Sequence, residues 1–102
     1  MRRPPLPFTV LAEHREGISG TVYNPRFEAG GWPLSVEGAA AGGGGVEAAE
    51  ADASVQTLRT PVLERIATPG AHVRWQGEIY RIARRSESPD RGYFTFLLDR
   101  AR

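Results

Sequence analysis

Side chains that do chemistry are few and scattered. The histidines are His14 and His72, and neither has a second ligand at HxH, HExxH or HxxxH spacing. A metal site needs several ligands converging at set distances. Both are read as solvated or structural. The serines, Ser19, Ser35, Ser54, Ser86 and Ser88, fall in no GxSxG turn, so no serine is presented as a nucleophile on a strained elbow. Glu13/Glu16 and Glu47/Glu50 are each three residues apart. No strand context makes either an acid/base pair. Cysteine is absent, which excludes disulfides, thiolate zinc sites, iron–sulfur clusters and a cysteine nucleophile. No catalytic residue, cofactor or metal is expected, and the chain reads as a non-enzyme.

All thirteen basic residues are arginine, and with twelve acids the net charge is +1. The lack of lysine also excludes a phosphate-binding loop at the glycines. Residues 1–54 hold four arginines and seven acids, whereas residues 55–102 hold nine arginines and five acids. The basic half has Arg81, Arg84, Arg85 and Arg91 interleaved with Tyr80 and Tyr93. Guanidinium groups among aromatic rings can hold single-stranded nucleic acid by charge and stacking. The near-neutral total argues against a dedicated nucleic-acid binder, and the same arginines also suit a solvated rim with Glu78, Glu87 and Asp90. Trp32 and Trp75 are the largest apolar side chains. Trp75, in phase with Val73, is assigned to the core. Trp32, between Gly31 and Pro33, is equally suited to covering a barrel end or anchoring an interface.

The elements that must carry these residues are mostly strands. The length of 102 residues suits one domain. Residues 1–7 (MRRPPLP) read as an extended arm, because proline fixes φ and lacks an N–H. Strands are predicted at 8–13, 18–23 and 32–37, with Asn24-Pro25 and Gly30-Gly31 as turns between them and Pro33 marking an edge. Residues 38–54 are twelve parts Gly and Ala in seventeen, with three acids and no base. They read as a long loop, flexible in the free protein. A strand follows at 55–60, and 61–68 is open between a helical turn and an irregular edge. Val73 and Trp75, the Gln76-Gly77 turn, a strand over 78–84, a polar loop at 85–91 and a strand over 92–99 complete the pattern. In that last strand Phe94, Phe96 and Leu98 share one face, and its other face is also largely apolar, so a central or partner-covered strand is expected. The fold class is mainly β: a small antiparallel β-barrel or sandwich with a long Gly/Ala-rich loop, residues 8–102 forming the single domain. No apolar run approaches the ~18 residues of a membrane span, and the two arginines at the start precede no apolar stretch of a secretory signal. No membrane partner is expected.

The run Pro69-Gly70, His72-Val73, Gly77, Tyr80-Arg81-Ile82, a polar gap and the closing Phe94-Thr95-Phe96-Leu97-Leu98 resembles the C-terminal half of head–tail joining proteins of tailed bacteriophages. These are also called head-completion, stopper or connector proteins. Thr21-Val22-Tyr23-Asn24-Pro25 and the Val55-to-Leu58 strand follow the same order upstream. The chain departs from the family at Ala71-His72, where the family often has an acid. The resemblance implies a structural protein of the virion neck, made in the host bacterial cytoplasm. It would assemble as a homo-oligomeric ring between the portal or adaptor and the tail terminator or tail tube, and help seal the channel beside genomic DNA. On that reading the interface candidates are the arm, Trp32, Pro33, Gly42, Gly43, Gly44, Gly45, Glu47, Glu50, Arg85, Asp90 and Arg91. Arg81 and Arg84 are candidates for facing the channel. The alternatives are another virion barrel (tail completion or capsid decoration) or a small nucleic-acid-binding barrel.

Overall fold

Alternating apolar residues produce six strands whose inner faces meet in one core. The computed structural model describes residues 3–18, 20–34 and 51–101. The strands are β1 (Leu6–Glu16), β2 (Gly20–Leu34), β3 (Ala53–Leu58), β4 (His72–Trp75), β5 (Glu78–Glu87) and β6 (Tyr93–Arg100), with a short helix α1 (Pro61–Ile66) between β3 and β4. All pairings are antiparallel. The order β1-β2-β3-β6-β5-β4 closes on itself as a barrel, so the expected mainly-β class holds and the barrel is the form it takes.

The interior is filled by side chains. Phe8 stacks on Phe96 at 5.1 Å and meets Trp75 edge-on at 6.1 Å. Phe94 meets Phe96 at 5.7 Å. Val10, Val55, Val73, Ile82 and Leu98 complete the barrel core, with Leu63, Ile66 and Ala67 packed against it from α1 and the residue after it. The predicted alternation of β6 is seen in Phe94, Phe96 and Leu98, all fully buried.

Three sequence expectations are corrected. Asn24-Pro25 does not end a strand, and Gly30-Gly31 is not a turn: both lie inside the fifteen-residue β2. Pro25 is absorbed by a bulge, because Val10 pairs with Phe27 and Leu11 with Pro25, which leaves Arg26 as the extra residue. The glycine at 31 serves close approach instead. A Cβ there would lie 2.7 Å from both the Trp75 ring and the Val55 side chain. Pro33 pairs with Val55 beyond the last β1 partner, Gly31, so no β1 rung needs its missing N–H. Second, Ala53 and Ser54 belong to β3 rather than to the loop. Third, β5 runs to Glu87, so Arg85 stands on a strand rather than in the polar loop. The open question at 61–68 resolves as a helix. Thr60 is its N-cap, accepting from the Leu63 N–H at 3.2 Å, and Pro61 opens it, where no N–H partner is needed. The Gln76-Gly77 turn is as expected, with φ of 49° and 81°.

Candidate functional site

The β1–β2 ribbon outruns the barrel. β4 stops pairing with β1 at Leu11↔His72, and β3 pairs with β2 only from Gly31 to Leu34. Residues 12–16 and 20–24 therefore pair only with each other. Among the described residues no strand lies beside β2 between Gly20 and Gly30 on the side away from β1. Ile18 at the tip is fully exposed, and Val22 is exposed behind it. The molecule measures 43 × 27 × 23 Å. An unpaired strand edge with an apolar tip is a template for another chain.

The residues before β1 are tied to the barrel rather than hanging from it. The Trp32 indole Nε1 donates to the Arg3 carbonyl at 2.6 Å, and its ring meets Tyr93 edge-on at 6.4 Å. Pro5 lies so close to Gly30 that a Cβ there would be 2.7 Å from it. Leu6 and Pro7, assigned to the arm by sequence, are the first rungs of β1. Trp32 thus reaches from β2 to Tyr93 of β6 and anchors the entering chain. Pro33 is its exposed neighbour.

Arg85 has a structural task. Its guanidinium lies 4.5 Å from the Phe94 ring centroid and donates to the carbonyls of Glu64 and Ala67 at 2.8 and 2.9 Å. The last turn of a helix leaves carbonyls without intrahelical donors, and Arg85 supplies one. Arg59 meets the same ring at 5.5 Å, bonds Glu64, and pairs with Glu87 at 3.1 Å. The two arginines clamp α1 over the barrel end. Nothing in the sequence pattern marks Arg59 except the Thr60-Pro61 cap beside it.

Asp90 organises its own loop. It accepts from the Ser88 hydroxyl and from the Gly92 N–H at 2.9 Å. The Ser88 bond first, then the Gly92 amide, holds its carboxyl below the ordinary value of 3.8. Arg91 adopts a left-handed φ of 58°, and its N–H reaches the Ser88 carbonyl at 2.8 Å. Arg81 is exposed on β5 between His72 and Asp99. Arg84 is half-buried and engaged within the chain. The arginine constellation of the sequence is thus divided: Arg85 faces the helix, Arg91 sits in the loop, and Arg81 and Arg84 stand on the barrel wall. Gly42, Gly43, Gly44, Gly45, Glu47 and Glu50 lie outside the described residues.

The histidines are apart. His14 is exposed on the ribbon, while the His72 ring lies 5.0 Å from Tyr23, with its Nδ1 3.8 Å from a Glu13 carboxylate oxygen. No group of three or more His, Cys, Asp or Glu among the described residues is placed to hold a metal ion. No described helix is long and apolar enough to cross a membrane. No protein-family model, no curated protein and no solved structure matches this chain.

Proposed function

We propose that this chain is a structural assembly protein of the phage neck type, a barrel subunit that joins a ring between head and tail. The projecting β1–β2 ribbon carries this reading. It offers unpaired backbone and an exposed apolar tip to a neighbour, while the barrel interior is occupied by its own side chains. A small barrel gains stability when such surfaces are covered in an oligomer. The segments that carry the family resemblance fall on consecutive elements: the Pro69-Gly70 turn, β4, the Gln76-Gly77 turn, β5 and β6. The nucleic-acid alternative is weakened by Arg85, whose guanidinium is committed to two carbonyls and the Phe94 ring.

The test is disruption of the gene in the genome that carries it, with electron microscopy of the lysate. Filled heads and finished tails accumulating unjoined is the expected result. Normal joined particles in its absence overturn the reading. Salt-sensitive binding of single-stranded DNA by the purified protein, with joining intact, turns it toward the nucleic-acid barrel.

A further inference from the structure

Where the ribbon leaves the barrel, a cleft of about 640 Å³ opens between it and the end of α1. Its walls include Leu11 and Glu13 of β1, Arg26 of β2, Arg65 and Ile66 of α1, and Pro69 of the following turn. Arg26 is there because the bulge opposite Val10 and Leu11 inserts it as an extra residue. Arg65 is there because α1 is so short that its last turn ends at the cleft. Both are exposed, and among the described residues neither has a hydrogen-bond or ion-pair partner. That sets them apart from Arg59 and Arg85, whose guanidinium groups are committed within the fold. Glu13, at the rim, lies beside His72 at 3.8 Å.

We infer that this cleft receives an acidic peptide segment of a partner protein, its carboxylates on Arg26 and Arg65 and an apolar side chain against the exposed Pro69. Guanidinium groups match carboxylates with paired, directional hydrogen bonds. Pro69, exposed at the cleft, supplies the apolar contact for a peptide side chain. Nucleic acid fits less well. The cleft offers two guanidinium groups rather than a basic track, and its one aromatic ring, His72, is already packed 5.0 Å from Tyr23. The inference stands apart from the neck reading, since any protein with such a segment satisfies it.

The probe is a fluorescently labelled peptide with two glutamates on each side of one leucine, titrated with the full chain. Saturable binding is expected, weakened about tenfold or more in Arg26→Glu/Arg65→Glu. Arg74→Glu, on β4 and outside the cleft, is expected to bind as the wild type does. Unchanged far-ultraviolet circular dichroism and melting confirm that the double variant folds. Three results overturn the inference: no binding at millimolar protein, equal loss in Arg74→Glu, or tighter binding of a single-stranded oligonucleotide lost in the same double variant. The last assigns the cleft to nucleic acid.

Discussion

Thr57 places a hydroxyl in the barrel wall beside the core. It is fully buried opposite Phe94, and its hydroxyl has no hydrogen-bond partner among the described residues. Burying an unpaired hydroxyl costs about 1–3 kcal/mol, and a methyl of the same shape carries no such cost. Thr57→Val is therefore expected to stabilise the fold by about 1 kcal/mol, a rise in Tm of about 4–8 °C. Calorimetry showing an unchanged or lower Tm would contradict the unpaired hydroxyl. Gly31 faces the same core from β2, in the space the Trp75 ring requires. Neither role was legible in the sequence. A glycine reads as a turn until the tryptophan across the barrel is known, and the Thr57 hydroxyl reads as ordinary strand chemistry.

Among the elements, α1 depends most on a neighbour. A six-residue helix has almost no stability of its own. Leu63 and Ile66 hold its underside, and Arg85 holds its far end. Arg85→Met keeps an apolar stem over Phe94 but leaves the buried turn at Ala67 without its donor. The expected loss is about 1–3 kcal/mol, measured by urea unfolding; a variant as stable as the wild type would show that Arg85 is an idle surface group. Local signals predicted the elements unevenly. The Gln76-Gly77 turn and the alternation of β6 were readable because turn chemistry and period are local. From sequence β2 reads as separate pieces, because proline and paired glycines normally stop a strand. Here a bulge and a ring packed on bare backbone let it continue. Arg26 carries no local signal for the same reason: only the bulge brings it to the cleft.

At the scale of the molecule, cohesion is uneven. The barrel walls are paired on both sides, whereas the ribbon beyond Leu11 and before Pro25 has one partner strand on each side of its own turn. Amides at 12–16 and 20–24 are expected to exchange with solvent about a hundredfold or more faster than those of Val10, Val73 and Phe96, because they open without the core. Uniform protection in the isolated protein, read by hydrogen exchange, would mean that the ribbon is stabilised by more than its own ladder. The fold class was legible as a whole, but the closure was not, since it depends on which strands meet across long separations. Phe8 pairs with Trp75, and Ala53 with Leu98. Those pairings give the protein a particular order of birth. A chain leaving the ribosome can form the β1–β2 ribbon early and add β3 to β2, but the other edge of β3 waits for β6, the last strand of the barrel in chain order. Until then the nascent chain holds open strand edges and an unclosed apolar wall, and closure is a late, slow, long-range step. The interval between synthesis and closure is when those open edges are most exposed to wrong pairing.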